Sequence, residues 1–175
     1  MSTIQKVNFE PVSALDPKQL RDFPLLDPTL ADPLNALATV DGEWLAVQND
    51  GVKTARASNV AVVGNEATVI SYPLFAERGR YDIQAMSQRK VPLIYMGDWE
   101  FDSRIFNSTV VVGAGAAMTF VGQPLKVATI TLGTKNVSGL VGHGGAADPS
   151  PVVAIVSKLP ATNGGKLRLK KSGRF

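Results

Sequence analysis

Apolar and polar positions alternate along much of the chain from residue 43 onwards, which is the period of half-buried β-strands. Residues 43–48 lead into Asn49-Asp50-Gly51, a strong hairpin turn signal, and residues 52–57 return with the same alternation. Short strands separated by turn residues predict a mainly β fold, an antiparallel sandwich or barrel. The further predicted strands are residues 60–63, 68–74, 91–96, 99–101, 109–112, 117–121, 125–132, 151–159 and 166–169.

The first 42 residues have a different pattern, because prolines recur there every four to seven positions from residue 11 to residue 33. Each proline removes an amide donor and biases the preceding residue away from helix, so only one short helix, near residues 17–22, is compatible with the pattern. Apolar side chains persist between the prolines, unlike in a disordered linker. We therefore predict an extended arm over residues 1–42 and a β domain over residues 43–175. The arm residues expected to contact a partner are Phe9, Phe23, Leu25, Leu26, Leu30, Leu34 and Leu37.

Composition removes several classes of site. The 175 residues contain no cysteine, which excludes disulfides, iron–sulfur clusters, thiolate zinc sites and a cysteine nucleophile. His143 is the one histidine, so a site with several histidine ligands is excluded as well. No apolar run reaches the ~18 residues of a membrane span, and the first residues lack the apolar stretch of a secretory signal. We expect a soluble, non-secreted protein with no membrane partner and no cofactor.

Charge is distributed unevenly along the chain. Residues 1–42 carry six acids and three bases, whereas residues 158–175 carry six bases and no acid. An acidic head and a basic tail attract each other, either within one chain or between neighbouring copies. The tail is also a candidate nucleic-acid contact, but the alternation of lysine or arginine with leucine over residues 166–170 favours a half-buried edge strand.

Three constellations resemble catalytic or binding sites. The glycine-rich residues 112–118 lack the third glycine and the strand–helix context of a dinucleotide loop, so we interpret them as a tight turn. Asp98, Glu100 and Asp102 alternate and share one face of a strand. We expect that face to be solvated or salt-bridged; an ion-pair ladder between subunits, a hard cation site and an acid/base pair are the alternatives. The bases considered as its partners are Arg78, Arg80, Arg89 and Arg104.

The third constellation is the glycine-rich stretch over residues 139–149, which offers His143 with Ser138 and Asp148 as the ingredients of a catalytic triad. A triad needs rigid positioning to within ~0.5 Å, which so many glycines oppose. No Gly-x-Ser-x-Gly elbow is present either. We therefore interpret the stretch as a flexible loop that packs on a partner or spans the end of a barrel, and we expect no enzymatic activity.

The chain resembles virion structural proteins of tailed bacteriophages, over most of residues 40–170. The segments that carry the resemblance are Asp41-Gly42-Glu43-Trp44-Leu45 before the hairpin, Pro124-Leu125-Lys126-Val127-Ala128-Thr129-Ile130-Thr131, the glycine-rich loop and the basic carboxy end. Within that class it is most similar to capsid decoration, or cement, proteins. The resemblance implies a compact β domain, often trimeric, on the capsid surface of a virion after synthesis in the host cytoplasm. It also implies an arm, matching residues 9–37, that orders on the major capsid protein.

Three other functions remain open at this point. A tail-tube or head–tail connector subunit is also a β barrel, assembled as a ring, although a high isoelectric point argues mildly against its usual acidic lumen. A small nucleic-acid-binding β-barrel would use the basic tail, but few aromatic residues lie near those bases to stack on nucleotides. A carboxylate-dependent hydrolase would be built on Asp98, Glu100 and Asp102.

Overall fold

The computed structural model describes residues 9–12, 15, 19–25, 27, 39–47, 54–55, 71–75, 90–95, 97–107, 118–161 and 165–171. Eleven β-strands lie in these ranges, and they contain no α-helix. The strands are β1 (Phe9–Pro11), β2 (Leu20–Pro24), β3 (Trp44–Val47), β4 (Thr54–Ala55), β5 (Ser71–Pro73), β6 (Lys90–Ile94), β7 (Trp99–Ser103), β8 (Pro124–Leu132), β9 (Lys135–Gly142), β10 (Ala154–Lys158) and β11 (Leu167–Lys171).

Six strands form the largest sheet, in the order β1-β7-β11-β10-β8-β9, and all of its strand pairings are antiparallel. A two-stranded sheet, β2-β6, is connected to a three-stranded sheet, β4-β3-β5, by an antiparallel bridge between Leu74 and Leu93. The predicted mainly β, antiparallel sandwich or barrel class is confirmed. The predicted hairpin is confirmed by its pairing, since Ala46 lies opposite Ala55 and Val47 opposite Thr54.

The core is divided among three apolar clusters, and β3 contributes to two of them. Trp44 packs in the cluster with Trp99 and Phe101 of β7, whereas the next residue, Leu45, packs in a second cluster with Leu74 and others. Successive side chains of a strand point to opposite faces, so β3 is buried on both sides. The third cluster lies along the β8–β9 hairpin, and its buried members are Ile105, Ile130, Val137 and Val141.

The described parts of the N-terminal segment are strands of these sheets. β1 pairs with β7, and β2 pairs with β6, so a boundary after residue 42 does not separate either strand from the β domain. Leu20–Pro24 is a strand, which corrects the helix considered for that part of residues 17–22. The proline pattern was consistent with extended backbone, but it did not reveal which chain the extended segment pairs with.

Most predicted strands in the described ranges are present, with three differences. Residues 118–121 form a turn rather than a strand. β9 was not predicted at all, because Gly139 and Gly142 interrupt its apolar pattern. β11 is a strand with alternating burial, but it lies between β7 and β10 and is not at an edge. The strands predicted at 60–63 and 109–112, the glycine-rich residues 112–117 and the hairpin turn at 49–51 lie outside the described residues.

Candidate functional site

The expected partner-contact residues that the structure describes are buried within this chain. Phe9 is 2% exposed and stacks on Phe101, with ring centroids 4.3 Å apart. Phe23 and Leu25 are buried in the cluster that contains Leu45 and Leu74. The expectation of partner contact is therefore corrected for Phe9, Phe23 and Leu25, since their apolar surface packs inside their own chain. The other four, Leu26, Leu30, Leu34 and Leu37, lie outside the described residues.

The acidic face of β7 is an ion-paired face within one chain. Arg168 donates from Nε to Asp102 Oδ1 at 2.8 Å and from Nη2 to Asp102 Oδ2 at 3.0 Å. The hydrogen bond from Arg168 lowers the pKa of Asp102 and outweighs the opposing effect of desolvation. Ser157 donates its hydroxyl hydrogen to Glu100, while Asp98 precedes the strand and is exposed. The expected salt-bridged face is confirmed, with a partner from β11 that the sequence analysis did not consider.

The two ends of the chain meet on the same face. Glu10 on β1 lies opposite Asp102, which lies opposite Arg168 on β11. Lys166, immediately before β11, forms an ion pair with Glu10. The predicted attraction between an acidic head and a basic tail is thus present within the chain for these residues. The side chains of both pairs are partly exposed, so solvent screens the attraction and each pair adds little to stability.

The glycine-rich loop that follows β9 is held by hydrogen bonds at each of its chemically interesting residues. His143 accepts a hydrogen bond from the Gly145 amide at Nδ1, and its Nε2 lies 2.9 Å from the carbonyl oxygen of Ser150. Both ring nitrogens of His143 are therefore occupied by backbone groups of its own loop. Asp148 accepts hydrogen bonds from the Gly144 and Ser150 amides and is 2.8 Å from Lys126 Nζ.

These contacts connect the loop to Lys126 of β8 and to its own backbone; the flexibility expected from its glycines stays a prediction. Desolvation would raise the pKa of Asp148, but the hydrogen bonds from Lys126 and the two loop amides more than offset it and hold that pKa far below its usual range. Ser138 lies on β9, is buried, and donates its amide hydrogen to Glu43. Ser138, His143 and Asp148 therefore each have structural partners of their own.

Glu43 is a buried carboxylate that sequence reasoning missed. Its side chain is fully buried, and it accepts hydrogen bonds from the amides of Val40 and Ser138, both at 3.1 Å. The second of these bonds joins the start of β3 to β9. A buried carboxylate is stable only when hydrogen bonds replace its hydration. The Glu43 side chain therefore connects the three-stranded sheet to the six-stranded sheet.

Lys171 is a second buried ionisable residue that sequence reasoning missed. It lies at the end of β11, with Leu167 and Leu169 at the preceding buried positions of the strand. Its Nζ lies 4.5 Å from the ring centroid of Tyr72 and 5.7 Å from that of Trp99. Every second residue of a strand points to the same face, so the alternation that buries Leu167 and Leu169 predicts that Lys171 is buried as well.

One turn presents large apolar side chains to solvent. Phe120 and Val121 are 55% and 62% exposed, and they begin the turn that leads to β8. Gly122 has a φ of 90°, and its amide donates to the Val156 carbonyl at 2.8 Å. Val156 in turn donates to the Gln123 carbonyl, and the Gln123 side chain accepts from the Thr119 amide. Hydrogen bonds thus hold the backbone next to the exposed Phe120 and Val121 side chains.

Within the described ranges, no group of three or more acidic or histidine side chains is arranged to hold a metal ion. The same ranges contain no helix with the length and apolar character needed to cross a membrane. Comparisons with protein families, with curated proteins and with solved structures found no match for the chain.

Proposed function

We propose that the protein is a non-enzymatic structural subunit of a multi-copy assembly, acting as a capsid decoration protein that binds the major capsid protein of a tailed bacteriophage. Two kinds of observation support this proposal. The described candidates for chemistry, His143, Asp148, Glu100 and Asp102, have structural hydrogen-bond or ion-pair partners. The class of function was suggested by the sequence resemblance, which implies copies of this chain on a capsid surface.

The turn at Phe120 and Val121 is the observation that carries the proposal. Fully burying an apolar side chain of this size is worth about 1.5–3 kcal/mol, so a partner covering both gains a few kcal/mol at each copy. The backbone hydrogen bonds of Gly122 and Val156 fix the turn before binding, which reduces the entropy cost of association. Many such contacts in a symmetric lattice add together.

This surface replaces the arm as the proposed contact, because Phe9 and Phe23 have their own core. The contacts of the basic tail also favour this function over nucleic-acid binding. Lys166 and Arg168 of the basic tail are ion-paired and Lys171 is buried. A free row of cations is what phosphate binding requires, and these three described bases do not form one.

The test is co-sedimentation of the protein with purified capsid shells of the same virus. The variant Phe120→Ser/Val121→Ser removes the apolar pair, and Val12→Ser is the matched control because Val12 is an exposed apolar residue, at 43%, on another part of the chain. We expect the double variant to keep its fold, monitored by circular dichroism, and to bind shells at least tenfold more weakly. The control should bind like the original protein.

Unchanged shell binding by the double variant would contradict the proposed contact. Binding that weakens steeply with salt, and that follows nucleic acid rather than shells, would favour the nucleic-acid alternative. Rings or tubes in electron micrographs of the bound complex would instead favour a tail-tube or connector role.

A further inference from the structure

Lys171 joins two sheets through aromatic rings. The lysine ends β11 of the six-stranded sheet and is 7% exposed, whereas Tyr72 belongs to β5 of the three-stranded sheet. Trp99, which lies opposite Lys171 in the strand register, is the second ring near the ammonium group. A cation above aromatic faces is attracted to them, but the ammonium group has lost most of its hydration at this position.

Two aromatic rings lie near the Lys171 ammonium group, while β10, which pairs with β11 on its other side, places Ile155 opposite Lys170. Tyr72 comes from β5 and Trp99 from β7, and Tyr95, after β6, packs on Tyr72 with ring centroids 4.8 Å apart. Arg21 of β2 is the charged group that contacts this ring pair, with its Cζ 5.5 Å from the ring centroid of Tyr95. Among the described residues, no carboxylate forms an ion pair with Lys171.

We propose that Lys171 is a proton-controlled latch between β11 and β5, weaker when its side chain is an ammonium ion and stronger when it is a neutral amine. The neutral amine keeps the apolar packing of the stem on the rings and avoids the cost of a buried charge. The latch is independent of the proposed capsid role.

The direction of the pH dependence follows from linkage. Burial lowers the pKa of Lys171 to about 8, from an ordinary value of 10.5. Between these values the unfolded chain binds more protons at this residue than the folded chain, so stability rises with pH in this window. Burial, followed by the neighbouring Tyr95, raises the pKa of Tyr72 from 10.0.

The experiment compares the full-length protein with Lys171→Met and with Lys170→Met, the exposed neighbour on the same strand. Denaturant unfolding is followed by tryptophan fluorescence at several pH values from 7 to 9.5. The ratio of the unfolding equilibrium constant of the original protein to that of Lys171→Met should fall by about tenfold or more as the pH rises across this range. Lys170→Met should follow the original protein. A ratio that does not change with pH, or an equal change in both variants, would overturn the latch.

A second measurement does not need the variant to fold. Lysine labelled with ¹³C at the ε-carbon reports the protonation of each amine in the original protein by nuclear magnetic resonance. One lysine signal should titrate with a midpoint near pH 8 in the folded protein and lose that midpoint in denaturant. Titration of all lysine signals near the ordinary value would overturn the proposal.

Discussion

Phe9→Ala is the substitution that most directly tests whether the N-terminal strand belongs to the core. The Phe9 ring stacks on Phe101 with an interplanar angle of 17°, inside the cluster that also holds Trp44 and Trp99. A Cβ atom added at Gly42 would lie 2.6 Å from Phe9 Cβ, so the side chain is held tightly on that side too. Truncating a buried phenylalanine costs about 3–5 kcal/mol, including the loss of ring stacking.

We expect the lower half of that range, about 3–4 kcal/mol, because β1 is a three-residue edge strand that can adjust toward the space left behind. A domain of this size has a total stability of roughly 5–15 kcal/mol, so the loss is a large fraction. The assay is equilibrium unfolding in urea, followed by the fluorescence of the two tryptophans. Val12→Ala, one residue beyond β1 and exposed, should change stability by less than about 0.5 kcal/mol.

A loss of unfolding free energy below about 1 kcal/mol for Phe9→Ala would refute the reasoning, because truncating a phenylalanine buried in the core costs more than that. It would mean that the segment around Phe9 does not stay on its own domain in solution. The partner-binding arm expected from the sequence would then again be the better description of residues 9–12.

Three further predictions concern the buried and paired carboxylates. Glu43→Gln should lower stability by about 2 kcal/mol in chemical denaturation, since an amide offers only one acceptor oxygen to the two backbone amides; an unchanged midpoint would contradict this. The lowered pKa of Asp148 means that its contribution is present above the ordinary value of 3.8 and is lost as pH falls below it. Asp148→Asn should therefore cost about 1–2 kcal/mol at pH 7 and flatten the acid unfolding curve, whereas a parallel, shifted curve would argue against the Lys126 contact. A double-mutant cycle on Asp102 and Arg168 should give a small coupling that shrinks with added salt; a large, salt-independent coupling would be inconsistent with solvent-exposed partners.

The strand positions were predictable where apolar residues alternate and turn residues separate them. β7, β10 and β11 are of this kind, because their inward positions carry apolar side chains and alternate with less buried ones. β9 was not predictable from the same rule, since Gly139 occupies one of its buried positions. A side chain at Gly139 would collide with Ile130 across the hairpin, so glycine is required there by packing rather than by a turn.

Sheet order and the destination of the first residues depend on long-range pairing, which local patterns do not encode. The charge alternation of β11 is the same in a central strand as in an edge strand, provided that the neighbouring strand supplies opposite charges, as Asp102 does here. The buried Glu43 and Lys171 interrupt otherwise apolar environments. Their partners are backbone amides and aromatic rings from segments distant in sequence, so only the folded structure identifies them.

Cryo-electron microscopy of the intact particles that contain this protein tests the central claim most directly. The account predicts many symmetric copies of this β fold on the outer shell, with the turn at Phe120 and Val121 against the major capsid protein. A protein found only as a free monomer, with that turn uncovered and no copies on any particle, would contradict it.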